Sequence, residues 1–134
     1  MPWIFNWYEN KAVGRPPDPA KDKGRFLKST FHPTFSVRIN TTKLTGTNNC
    51  IMEGYGIFPN PPSDKIGVSA ITGVRLWLGP YLILDEWYFG GYSGSVTVNP
   101  PATAYPIWRI QYHNRETYLS QLLGGSLVLS RTLP

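Results

Sequence analysis

The sequence predicts an all-β fold: an antiparallel β-sandwich or small Greek-key barrel preceded by an extended N-terminal arm. Three observations predict it. From residue 34 onward, short runs of alternating apolar and polar residues recur, split by Gly, Pro and Asn. Gly and Pro number 13 each but show no period, which excludes a collagen-like chain. Eight Tyr, six Phe and five Trp supply apolar area that disordered chains lack. A chain of 134 residues is one domain by ordinary size and can bury a core without staples.

The expected division is an arm over residues 1–33 and a β-domain over residues 34–134. Net charge is +5, and residues 1–43 hold all of it, with eight Lys or Arg against three Asp or Glu. The stretch GRPPDPAKDKGRFLK, residues 14–28, combines three prolines with a run of bases. Proline removes a backbone donor and fixes φ, so this piece predicts an extended, partly polyproline-like segment. Before it, Trp3, Ile4, Phe5, Trp7 and Tyr8 are apolar area that water penalises at a free terminus. A flexible solvated tail and an arm docked on a neighbouring subunit both fit. A nucleic-acid contact through Lys21, Lys23, Arg25 and Lys28 beside Phe26 and Phe31 also fits, although Asp18 and Asp22 would repel phosphate. The expected partner-binding residues are Trp3, Phe5, Trp7, Tyr8, Arg15, Lys21, Lys23 and Arg25, with Trp87 and Tyr88 from the domain.

The strands follow in order. TFSVRI (34–39) alternates Phe35, Val37 and Ile39 with Thr34, Ser36 and Arg38. CIMEGYGIF (50–58) ends at the loop signal PNPPSD, and GVSAI (67–71) is a weaker run. GVRLWL (73–78) puts Val74, Leu76 and Leu78 on one face and Arg75 and Trp77 on the other, until Gly79-Pro80 breaks it. YLILDEWYF (81–89), GSVTV (94–98), YPIWRIQY (105–112) and GSLVLS (125–130) complete the set. RETYLSQLL (115–123) reads as helix or strand.

Asp85 and Glu86 are adjacent carboxylates in one of these runs. Neighbours in a strand point to opposite faces, so they cannot share a substrate as a glycosidase pair does. Both faces of the run are apolar, which predicts a strand covered on both sides, its acids paired with bases such as Arg75 or Arg109.

No chemistry converges elsewhere. His32 and His113 have no metal-ligand spacing around them, and no phosphate loop or nucleophile elbow occurs. The reading is therefore not an enzyme, with no catalytic, cofactor-binding or metal residues and no cofactor. Cys50 is the only cysteine and reads as a buried small hydrophobe. No run is long enough for a membrane span, and MPWIFNWYENK lacks the pattern of a signal peptide.

Two resemblances follow from these residues. Asp85, Phe89 and Gly91 resemble half of a βγ-crystallin Greek-key motif, over about ten residues. Leu84 stands where that family has an aromatic corner residue, and its calcium-binding loop sequence is absent, so no calcium is implied. The layout of GRPPDPAKDKGR ahead of a Thr-, Gly- and aromatic-rich domain resembles small virion proteins of tailed phages. That resemblance implies a structural component of a capsid, head-tail joint or tail that exchanges arms with protein neighbours. It would be made in the host cytoplasm and located in the virion, or else be cytoplasmic. The alternatives are a carbohydrate-binding, lectin-like module stacking sugars on Trp77, Trp87, Tyr88 or Tyr92, and nucleic-acid binding through the basic arm.

Overall fold

Trp3, Phe5 and Trp7 alternate with Ile4, Asn6 and Tyr8, and this alternation builds a strand rather than an arm. A computed structural model of the chain describes residues 2–58, 65–88, 91–98, 107–115 and 124–131. In it β1 (Trp3–Asn10) lies inside a sheet, antiparallel to β2 (Lys23–His32) on one side and β4 (Cys50–Ile57) on the other. The remaining strands are β3 (Val37–Asn40), β5 (Lys65–Ala70), β6 (Gly73–Leu78), β7 (Tyr81–Glu86), β8 (Tyr92–Thr97), β9 (Ile107–Asn114) and β10 (Ser126–Arg131). They form a six-stranded sheet ordered β2-β1-β4-β9-β6-β7 and a four-stranded sheet ordered β3-β10-β5-β8. Every pairing is antiparallel, and the two sheets form a sandwich.

The expected free arm over residues 1–33 is corrected by this arrangement. Pro16, Pro17 and Pro19 fall in the connection between β1 and β2, where no ladder needs their missing N–H. That connection holds α1 (Pro19–Asp22), with Pro19 in the first turn and Asp18 as N-cap, its carboxylate accepting from Ala20 N at 2.9 Å. A second short helix, α2 (Thr41–Thr45), is capped by Asn40, whose side chain accepts from Lys43 N at 3.0 Å. It stops at Gly46, whose φ of 78° suits glycine and whose N–H bonds Thr42 O at 2.8 Å.

The core sits between the sheets. Trp3, Phe5, Trp7, Trp108, Ile110 and Tyr112 from the large sheet meet Ile66, Val68, Leu127 and Leu129 from the small one. Trp3, Phe5 and Trp7 are 0% exposed. Each such ring removes roughly 150–250 Å² from water, on the order of 4–6 kcal/mol before entropy is charged. Their polar tips are satisfied: Trp3 Nε1 donates to Phe35 O at 3.1 Å and Trp7 Nε1 to Thr30 Oγ1 at 2.9 Å. Gly54 lies under this stack; a Cβ there would come within 2.5 Å of Phe5 Cδ1 and 2.8 Å of Ile110 Cγ2. Cys50 is buried as expected, and burial pushes its thiol up to about 12.

β6 spans the residues its alternation predicts, and Gly79 turns the chain into β7 with φ 54°. β7 itself corrects an expectation. Among the described residues it is an edge strand paired with β6 alone, and several of its residues are exposed rather than covered on both faces. A bulge between Leu76 and Trp77 also interrupts the simple alternation across this pair. The helix-or-strand question at 115–123 lies, apart from Arg115, outside the described residues. Among the described residues, no helix is long and apolar enough to cross a membrane.

Candidate functional site

The outer face of the six-stranded sheet carries three cross-strand rows of distinct chemistry. Their members come from register, because side chains directly opposite one another share a face.

The first row is Phe26, Tyr8, Ile51, His113 and Gly73. The β1–β2 connection and Trp87 close over the His113 end of it. Trp87 sits edge-on to His113 with ring centroids 4.5 Å apart, and its Nε1 donates to Pro17 O at 2.7 Å. His113 Nε2 lies 2.9 Å from Trp87 O; a carbonyl only accepts, so this nitrogen carries the proton. Burial lowers the His113 pKa to about 4, and the ring is neutral at pH 7. The connection is tied down by Asp22. Its carboxylate accepts from Arg15 Nη1 and Nη2 at 2.7 and 2.9 Å and from Asp18 N at 2.8 Å. The Arg15 hydrogen bonds, then the Asp18 backbone N–H, hold Asp22 down to about 2.

The second row is polar throughout: Ser29, Asn6, Glu53, Gln111, Arg75 and Asp85. Its members hold one another. Ser29 Oγ donates to Asn6 Oδ1 at 2.6 Å, Gln111 Nε2 to Glu53 Oε2 at 3.3 Å, and Arg75 Nε to Asp85 Oδ1 at 3.0 Å. The expected pairing of Asp85 with Arg75 is therefore present.

The third row is Phe31, Ile4, Tyr55, Arg109, Trp77 and Leu82. It is open to solvent, with Phe31 68%, Tyr55 45% and Leu82 46% exposed. The Arg109 guanidinium carbon lies 4.5 Å from the Trp77 ring centre, a cation–π contact. Six strands at about 4.8 Å spacing make this row roughly 24 Å long. An aromatic and aliphatic row beside a belt of amides, carboxylates and guanidinium can receive a ligand with apolar faces and a rim of hydroxyls. Among the described residues, no three His, Cys, Asp or Glu side chains converge to hold a metal ion.

The residues expected to bind a partner are scattered by the fold. Trp3, Phe5 and Trp7 are core. Tyr8 meets Phe26 edge-to-face at 5.5 Å, with the Lys23 ammonium 4.7 Å from its ring centre. Arg15 pairs with Asp22, Lys23 with Glu53 at 2.6 Å and Arg25 with Glu9 at 3.0 Å, all within the chain. Lys21 is exposed on α1. Trp87 is buried beside His113, whereas Tyr88 is 65% exposed and lies 5.4 Å from the Arg75 guanidinium carbon. Of the four expected sugar platforms, Trp77 and Tyr88 reach the surface, Trp87 does not, and Tyr92 is half-buried against the core. Tyr55 and the belt residues Ser29, Asn6, Glu53 and Gln111 escaped the sequence reading. Their signal is cross-strand register, which a single chain does not spell out.

No family model matches the sequence, and no curated protein matches it. The fold does match solved structures. One is the subtype-switched A domain of epithelial adhesin 9 from Candida glabrata in complex with β-lactose. It aligns at TM-score 0.57 and 14% identity, covering 100% of this chain and 81% of that one. A PA14 sugar-binding domain from an RTX adhesin aligns at TM-score 0.52 and 12% identity, covering 96% and 87%. A β-glucosidase from Kluyveromyces marxianus, in complex with glucose, aligns at TM-score 0.56 and 14% identity. There the match covers 98% of this chain but spans 17% of the enzyme's.

These matches correct the expected virion assembly role and the resemblance to tailed-phage proteins. The shared fold is that of a sugar-binding domain and an adhesin domain, and the residues taken for an exchange arm are strands of the large sheet, β1 inside it and β2 at its edge. The crystallin-like half-motif is corrected too. Asp85 sits on an edge strand bonded to Arg75, and Phe89 lies outside the described residues.

Proposed function

We propose that this chain is a carbohydrate-binding β-sandwich module that binds glycans without turning them over. The observation that carries the reading is the open row Phe31, Ile4, Tyr55, Arg109, Trp77 and Leu82 beside the polar belt Asn6, Glu53, Gln111, Arg75 and Asp85. A sugar ring has an apolar C–H face and a hydroxyl rim. The exposed rings suit the face, and the amide and carboxylate oxygens suit the rim. The likeness to a PA14 sugar-binding domain and to a lactose-bound adhesin domain supports the same class of ligand.

Binding rather than catalysis fits the carboxylates on the belt. Glu53 is held by Lys23 and Gln111, and Asp85 by Arg75, so each is already committed to a structural partner. The test is isothermal titration of the intact chain with glucose, lactose and longer β-glucans. Tyr55→Ala and Trp77→Ala should each weaken binding about tenfold, the worth of a lost stacking contact. Binding that is absent for every sugar tried, or unaffected by both substitutions, would overturn the reading.

A further inference from the structure

Of the thirteen Lys and Arg of the chain, some face a carboxylate and some do not. Arg15, Lys23, Arg25 and Arg75 each face a carboxylate within the chain. Arg38 and Lys43, both exposed, have no carboxylate partner among the described residues. They border the same groove, of about 490 Å³, which runs from the end of β2 along β3 to α2. Among the described residues, no Asp or Glu lines it. Its volume falls in the range of small-molecule sites, roughly 300–1,000 Å³.

The backbone of β3 adds donors. Among the described residues, β3 is an edge strand bonded to β10 on one side only. Just beyond its end, Thr41 N donates to Gly125 O, toward β10. Backbone groups alternate sides along an antiparallel strand, so Arg38 and Asn40 turn theirs to the groove side. Val37, Ile39 and Leu44 supply apolar lining beneath the charges. His32 closes one end; burial lowers its pKa, so it contributes a neutral ring at pH 7 and leaves the charge to Arg38 and Lys43.

We propose that this groove is a second binding site, for an anionic saccharide bearing sulfate or carboxylate, with Arg38 and Lys43 as its charge partners. The anion part stands on the unpaired cations alone; the saccharide part rests on the proposed function. Arg38 and Lys43 carry two of the five charges by which Lys and Arg exceed Asp and Glu in residues 1–43.

The experiment is calorimetric titration of the intact chain with sulfated lactose, unsulfated lactose and sodium sulfate. It is run on wild type, Arg38→Ala/Lys43→Ala, Arg38→Gln and Tyr55→Ala. The expected result is tighter binding of sulfated than of unsulfated lactose, weakened by rising salt. The double variant should lose at least about tenfold of that affinity, the worth of a charge-assisted hydrogen bond, with a smaller loss in Arg38→Gln. Lys21→Ala, an exposed cation outside both sites and titrated alongside, should leave it unchanged. Sodium sulfate binding as tightly as sulfated lactose would overturn the proposal in favour of a bare anion site. If Tyr55→Ala removes lactose binding while the double variant leaves sulfated lactose untouched, the groove fails and the outer-face reading stands. If neither sugar binds wild type, both readings fall.

Discussion

The two faces of the large sheet are made by the same six strands, yet they use aromatic rings in opposite ways. On the inner face Trp3, Phe5 and Trp7 stack on one another and on Tyr112, and their N–H groups end on protein oxygens. On the outer face the rings meet cations instead: Lys23 over Tyr8, Arg75 over Trp87 and Tyr88, Arg109 over Trp77. A ring covered by other rings contributes through area removed from water. Of these outer rings Tyr88 stays 65% exposed, whereas Trp87 is buried beneath its cation. The count of aromatics in a sequence therefore says less than what each one touches.

The largest effect expected from this contrast is on the segment first read as an arm. Removing residues 1–33 takes away β1 and β2 and three core rings, so the remainder should lose cooperative unfolding and amide dispersion in its NMR spectrum. A dispersed, cooperatively folding truncation would mean that the inner face does not depend on β1. Next comes a single inner ring. Trp7→Ala should cost about 3–5 kcal/mol in urea denaturation, because the sandwich cannot collapse onto so large a void.

Acid should act on the covered row. His113 is neutral in the folded chain down to about 4, against an ordinary value of 6.5 when unfolded. Between those values the unfolded chain binds the extra proton, so stability is full above pH 6.5 and falls as pH drops toward 4. The loss is on the order of 3 kcal/mol at most. Asp22 adds a second decline between 3.8 and about 2, again because its folded pKa is depressed. Denaturant midpoints at pH 7, 5.5 and 4.5 check the first window. A flat profile there would contradict a desolvated His113 beneath Trp87. The smallest effect on stability belongs to the open row: Tyr55→Ala should change unfolding free energy by no more than about 0.5 kcal/mol while weakening glycan binding. A large loss of stability in this variant would show that the outer rings are structural after all.

Most of the β-domain was legible because its strands alternate cleanly. GVRLWL became β6 residue for residue, and CIMEGYGIF became β4 with one residue trimmed. β1 hid because both of its faces carry apolar side chains, Ile4 and Tyr8 as well as Trp3 and Trp7, so no polar face announced the strand. β2 hid because it is a largely polar edge strand, whose Lys28, Ser29 and Thr30 show no apolar period. The prolines beside them suggested an extended tail, but they lie in a connection pinned by Arg15 and Asp22, residues seven apart that only the folded loop brings together. The candidate face was half legible. Trp77 and Tyr88 stand out in sequence, whereas Tyr55, Arg109 and Leu82 join them only through a register spread over four strands.

Cys50 gives the molecule an internal clock. Alkylating reagents attack the thiolate, and this thiol is both sealed from solvent and, by burial, protonated far above neutral pH. Labelling must then wait for the sheets to part. At saturating reagent its rate reports how often β4 is exposed, with no second cysteine in the sequence to blur the reading.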